Sequence, residues 1–80
     1  MTLTPDTLVR LAARDTTLRQ AAALLPGGAY DRATQLVTAV GRFHGVRNPR
    51  SPVGKLIRQA ESFGPVPDSA AVMLRILRAR

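Results

Sequence analysis

Apolar residues recur along this chain at intervals of three and four positions, which places them on helix faces and predicts helices. No segment shows the apolar–polar alternation of a half-buried strand, although a two-stranded wing across residues 46–53 is conceivable. The sequence therefore predicts an all-α fold, a compact bundle of four or five short helices forming one domain over residues 1–80. The apolar faces are Leu8, Leu11 and Ala12; Leu18, Ala21, Ala22 and Leu25; Tyr30, Ala33, Leu36, Val37, Val40 and Phe43; Val53, Leu56, Ile57, Ala60 and Phe63; and Ala70, Met73, Leu74 and Leu77.

Capping residues and helix breakers predict the boundaries in the first half of the chain. Thr4 precedes Pro5, the usual order of an N-cap followed by a proline in the first turn. Asp15-Thr16-Thr17 is a second capping signal, so we expect two short helices meeting at Asp15 in preference to one long helix that bends there. Pro26-Gly27-Gly28 ends this half, because proline cannot continue the helical hydrogen-bond ladder.

The second half contains similar signals. Gly45 is the expected C-cap of the central helix, and Ser51 caps the next one with Pro52 at its first position. Gly64-Pro65-Val66-Pro67 then interrupts the chain. The expected helices run from Tyr30 or Asp31 to Phe43, from Pro52 to Phe63, and from Asp68 or Ser69 to the end of the chain. We expect Tyr30 to be a partly buried structural residue, in preference to a base-stacking one.

Charge is distributed unevenly along the chain. The net charge is +7, and eleven of the twelve basic residues are arginine. No acidic residue lies between Asp31 and Glu61, whereas six arginines and lysines do. Such an uncompensated field most often binds phosphate, so nucleic acid is the expected partner, with DNA favoured over RNA because aromatic side chains for base stacking are few. The predicted nucleic-acid-binding residues are Arg32, Arg42, His44, Arg47, Arg50, Ser51, Lys55 and Arg58, with Thr34 and Gln35 as weaker base-reading candidates.

The segment from Arg42 to Arg50 carries no expected core role, so its arginines are the first candidates for the interface. The backbone N–H groups of Val53 and Gly54 lie at the positive end of the helix that begins after Ser51. We expect an anion at that end to meet both N–H groups together with neighbouring arginines.

The residues that catalysis requires are scarce in this sequence. His44 is the only histidine, and there is no cysteine or close pair of carboxylates from which a zinc site or a catalytic triad could be built. We therefore expect a non-enzymatic protein with no metal and no cofactor. The first residues show no basic region followed by an apolar run, so no signal peptide is expected. No apolar run approaches the roughly 20 residues of a membrane span, and we expect a cytoplasmic protein without a membrane partner.

The last helix suggests a different function. Its apolar face is wider than a terminal helix usually buries, so part of it could contact another subunit or another protein. The alternative to DNA binding is therefore a helical protein–protein interaction module or an oligomerising adaptor, and a homo-oligomer such as a dimer is compatible with either function. The predicted interface residues are Val72, Met73, Ile76 and Leu77.

Two segments resemble known families. Residues 17–25, with an alanine pair at Ala21 and Ala22, resemble the first helix of bacterial helix-turn-helix DNA-binding domains, and residues 32–36 resemble the beginning of a recognition helix. Separately, Val46-Arg47-Asn48-Pro49 and the amphipathic helix that follows are similar to the Arg-x-Pro segment of plasmid replication initiators. Both resemblances imply DNA binding in a bacterial or mobile-element context, and the first implies a degenerate helix-turn-helix within the bundle.

Overall fold

The computed structural model describes residues 4–78, and within them the chain forms four helices and no strand. The prediction of a small all-α bundle is confirmed, in its four-helix form. The helices are α1 (Pro5–Ala23), α2 (Ala29–Phe43), α3 (Pro52–Phe63) and α4 (Ala70–Arg78). Residues 79 and 80, where the last helix was expected to continue, lie outside the described residues.

The predicted break at Asp15 is wrong, because α1 continues through it as one helix. Asp15 accepts hydrogen bonds from the Arg14 side chain, with Nη2 2.8 Å from Oδ1, so its carboxylate does not cap a new helix. The hydroxyl of Thr17 donates to the carbonyl of Ala13 at 2.8 Å, inside the helix. Residues that favour caps are tolerated within a helix when their polar groups are paired in this way.

The capping predictions at Thr4 and Ser51 are confirmed, whereas the C-cap of α2 is His44, one residue before the expected Gly45. The Thr4 hydroxyl accepts the N–H of Thr7 at 3.2 Å, with Pro5 in the first turn of α1. Ser51 does the same for Gly54 at the start of α3. Gly45 follows the end of α2 with a φ of +78°, a conformation that glycine adopts without steric cost. The beginnings of α1 and α3 and the end of α2 are therefore encoded by local sequence.

The core receives one large, fully buried side chain from each helix. α1 packs chiefly on α3, and α2 chiefly on α4. Buried alanines at positions 21, 22, 33 and 60 allow the helix backbones to approach closely around these side chains. The radius of gyration is 12.1 Å, which agrees with the roughly 12 Å expected for a chain of this length. The four central side chains are Leu18, Leu36, Ile57 and Met73.

The predicted partner interface on α4 is largely used inside the bundle. Met73 and Ile76 are buried in the core, so the expectation that they face a partner is wrong. Leu77 packs against the same core and is half-buried, which leaves Val72, at 43% exposure, as the one member of the set that is on the surface. The wide apolar face of α4 is explained by its position, since it contacts both α2 and α1.

Other large apolar side chains are exposed elsewhere. Leu8 and Val9 in the first turns of α1 are 52% and 68% exposed. Tyr30 is 64% exposed, so the expectation that it is partly buried is wrong. No helix within residues 4–78 is both long enough and apolar enough to cross a membrane.

Candidate nucleic-acid interface

The segment that joins α2 to α3 is packed against the bundle. Pro49 is buried, and so is Gly54 in the first turn of α3. A Cβ atom at position 54 would lie 2.8 Å from the Cβ of Pro49 and 2.9 Å from Cε1 of Phe43, at the end of α2. The expectation that residues 42–50 have no role in the core is therefore wrong. This segment crosses the start of α3 so closely that a side chain at position 54 would collide with it, and only a glycine fits there.

Four cationic side chains lie on this segment and on the helix ends that it joins. Arg42 lies in the last turn of α2, Arg47 and Arg50 flank Pro49, and Lys55 follows Gly54. All four are exposed, and none forms a hydrogen bond or an ion pair with any residue between 4 and 78. Because Phe43 adjoins Gly54, their neighbours Arg42 and Lys55 lie at the same end of the bundle. We call Arg42, Arg47, Arg50 and Lys55 the basic surface.

The beginning of α3 offers fewer free donors than expected. The N–H of Gly54 donates to Oγ of Ser51 at 3.3 Å, and Gly54 itself is buried. An anion at this helix end could not reach that N–H group, so this part of the expected anion site is wrong. Ser51 acts as a cap, and its hydroxyl already accepts a hydrogen bond. The cations, rather than the backbone of α3, therefore determine what this end of the molecule attracts.

Glu61 neutralises part of the predicted site. Its Oε2 atom lies 3.3 Å from Nη1 of Arg58 and 3.8 Å from Nδ1 of His44. Arg58 is half-buried, and its charge is compensated by this ion pair. His44 is exposed and lies beside the same carboxylate. Arg58 and His44 thus do not belong to the basic surface, because both lie against the Glu61 carboxylate.

A groove lies next to the basic surface, between α2 and the beginning of α3. Its volume is about 410 Å³, and both apolar and polar side chains line it. Two of the lining residues are the weaker base-reading candidates, and both are already hydrogen-bonded. Gln35 donates from Nε2 to the carbonyls of Pro26 and Asp31, and Thr34 donates to the carbonyl of Tyr30. The lining residues are Leu25, Thr34, Gln35, Thr38, Ala39, Arg42, Phe43, Ser51 and Val53.

Arg32 does not belong to this group. It is half-buried on the side of α2 that faces the core, and it lines a separate pocket of about 260 Å³ together with Arg19. Arg19 was not among the predicted binding residues. Its one signal is its position at the edge of an apolar helix face, between Leu18 and the alanine pair at positions 21 and 22 in the sequence. Such a residue needs a partner, since an isolated buried charge is costly.

Metal binding and similarity to known proteins add no further assignment. Within residues 4–78, no group of three or more His, Asp or Glu side chains is placed to hold a metal ion. Comparison of the chain with protein-family models, with curated proteins and with solved structures finds no match.

Proposed function

We propose that this protein binds duplex DNA through the basic surface, mainly by contacts to the phosphate backbone. The observation that carries the proposal is that Arg42, Arg47, Arg50 and Lys55 are all exposed and have no acidic partner within residues 4–78. Clustered like charges repel one another, which disfavours the folded state unless a polyanion compensates for them. Three of the four are arginines, whose planar guanidinium groups can bind phosphate oxygens in pairs.

The anchoring of the connecting segment supports the same proposal. Pro49 is buried between the two arginines that flank it, so the backbone that carries them is held in place before any ligand arrives. Binding by a preorganised segment loses less conformational entropy than binding by a flexible one. Contacts of this kind position a protein on DNA and carry little sequence information.

Salt dependence tests the proposal directly. If the four cations each neutralise one phosphate, the logarithm of the binding constant should fall with the logarithm of salt concentration with a slope of about −3.6. The measurement is a binding titration against duplex DNA at several salt concentrations. A slope near zero would rule out binding dominated by phosphate contacts.

Two double variants with the same change in net charge test where on the protein DNA binds. The double variant Arg47→Glu, Arg50→Glu should weaken binding strongly and reduce the slope by about 2. The control is Arg75→Glu, Arg78→Glu, which makes the same change in net charge on α4, away from the basic surface. Equal losses in the two variants would show that only the net charge matters, and the basic surface would then not be the site.

The alternative function, an interaction module that uses the apolar face of α4, has less surface available. Met73 and Ile76 are buried in the core, so of the four predicted interface residues only Val72 and part of Leu77 remain to contact a partner. Buried side chains cannot contribute to an interface without unfolding the helix that carries them. The distribution of exposed residues therefore favours nucleic-acid binding at the basic surface over binding of a protein partner at α4.

A further inference from the structure

A second cluster of positive charge lies apart from the basic surface, in a pocket where α1, α2 and α4 meet. The pocket has a volume of about 260 Å³ and contains two arginines and no acidic residue. This volume is below the range of about 300–1,000 Å³ that is typical of sites for drug-sized ligands, so it suits a small group. The lining residues are Arg19, Ala22, Ala23, Gly27, Gly28, Ala29, Arg32 and Leu77.

The two arginines have hydrogen-bonding capacity that the protein does not use. Nε of Arg32 is buried and has no hydrogen-bond partner within residues 4–78. Nε of Arg19 donates to the carbonyl of Ile76 at 2.9 Å, which fixes the side chain beside the pocket. The two terminal nitrogens of Arg19 make no hydrogen bond to any described residue. The terminal nitrogens of Arg32 likewise make no hydrogen bond to any described residue, so both guanidinium groups keep donors with which to bind an oxyanion.

The beginning of α2 adds backbone donors to the same pocket. Gly28 is the N-cap of this helix and has no side chain with which to cap it. The first N–H group that bonds back to Gly28 is that of Arg32, which leaves Ala29, at the pocket wall, with a free N–H at the positive end of the helix. Guanidinium groups and a helix N-terminus together favour an oxyanion with several acceptor oxygens.

From the two arginines, their terminal nitrogens without partners among the described residues and the free N–H of Ala29, we infer that this pocket binds a phosphate group. Its source can be free phosphate or a phosphate of a nucleic-acid backbone, which share this chemistry. The inference does not rest on the proposed function, because Arg19 and Arg32 are not part of the basic surface.

Asp31 allows a test of whether the pocket attracts a negatively charged ligand. Its carboxylate lies on the other side of Gly27, where a Cβ atom at position 27 would be 3.0 Å from Oδ2. Asp31 does not line the pocket, but its negative charge is close enough to oppose an anion there. Asp31→Asn should therefore tighten phosphate binding, whereas Arg32→Gln should weaken it.

The decisive experiment is an NMR titration of the full chain with inorganic phosphate at constant ionic strength, with chloride as the reference anion. The expected result is a saturable shift of the Arg32 Nε–H signal and of the Ala29 amide. Arg32→Gln should weaken the apparent affinity by about tenfold, as expected for the loss of a charge-assisted hydrogen bond. The exposed control Arg10→Gln, in α1 and outside the pocket, should leave the affinity unchanged.

Two outcomes would overturn the inference. One is the absence of a saturable shift beyond that caused by chloride. The other is an unchanged phosphate affinity in both Arg32→Gln and Asp31→Asn. The second variant keeps the test informative if Arg32→Gln fails to fold, because Asp31 is exposed and its substitution leaves the core intact.

A DNA-binding measurement then distinguishes the sources of the phosphate. If a backbone phosphate occupies the pocket, Arg32→Gln should reduce the salt slope for duplex DNA by about 0.9. If the pocket binds free phosphate, that slope should stay as in the wild type. Because the phosphate titration contains no DNA, a failure of DNA binding at the basic surface would leave its result unaffected.

Discussion

Gly54 in α3 lies so close to Pro49 that a methyl group at position 54 would be 2.8 Å from the Cβ of Pro49. The ring of Phe43 closes the same space from the other side, at 2.9 Å. The glycine is required here by the close approach of two chain segments. Its backbone is helical and not in the left-handed region, so conformational freedom is not the reason for it. This contact holds the segment that carries Arg47 and Arg50 against the bundle.

We expect Gly54→Ala to destabilise the protein by about 1–3 kcal/mol, because the added methyl group forces Pro49 and Phe43 apart. The control is Gly41→Ala in α2, where a Cβ atom would meet nothing within 4 Å. That substitution should raise the free energy of unfolding by about 0.5–1 kcal/mol, since alanine favours a helix. Urea unfolding monitored by circular dichroism measures both changes. Stabilisation by both alanines would show that the contact at Gly54 is unimportant.

The burial of Met73 makes a second prediction. Met73→Ala should cost about 2–5 kcal/mol of stability, because it leaves a cavity between α4 and α2. Val72→Ala, at the neighbouring exposed position, should change stability by no more than about 0.5 kcal/mol. If Met73→Ala is too unstable to measure, Met73→Leu should cost less than about 1.5 kcal/mol, since it nearly conserves volume. Equal, small effects at both positions would place Met73 on the surface instead.

Glu61 provides a third prediction, which concerns DNA affinity. Glu61→Gln removes the carboxylate that pairs with Arg58 and lies beside His44. Arg58 then becomes an additional uncompensated cation near the basic surface, so DNA affinity should rise and the salt slope should steepen by up to about 0.9. The control is Asp68→Asn, which changes the net charge equally at an exposed position before α4. An identical gain in both variants would mean that the position of the charge has no effect.

Local signals in the sequence were sufficient to predict the ends of most helices. The pairs Thr4–Pro5 and Ser51–Pro52 specify helix starts because the capping hydrogen bond and the fixed φ of proline depend only on adjacent residues. The same local argument failed at Asp15, where the carboxylate is paired with the Arg14 side chain. Nothing in a capping signal reveals whether the side chain has found another partner.

The candidate site required the tertiary structure. The sequence grouped Arg32 and Arg58 with the other cations because they share a stretch without acids. In the fold, Arg58 is paired with Glu61, and Arg32 lies near the beginning of α2, where it lines a pocket with Arg19. Likewise, no sequence pattern showed that Gly54 would contact Pro49, because that approach is decided by how α2 and α3 pack. Charge along the chain thus identified a region, and folding selected the residues within it.

The order in which the helices pack also determines whether a fragment of this protein can fold by itself. Each helix makes its main contacts with the one two places along the chain, and every helix contributes one of the four central side chains. No contiguous pair of helices therefore contains a complete core, and we conclude that the chain folds as one cooperative unit. A peptide covering residues 42–55 would keep the four cations and the residues of the Gly54 contact, but it would lose the packing of α2 and α3 in the bundle that brings those residues together. Experiments on this protein consequently need the whole domain, because an isolated fragment would report on charge alone.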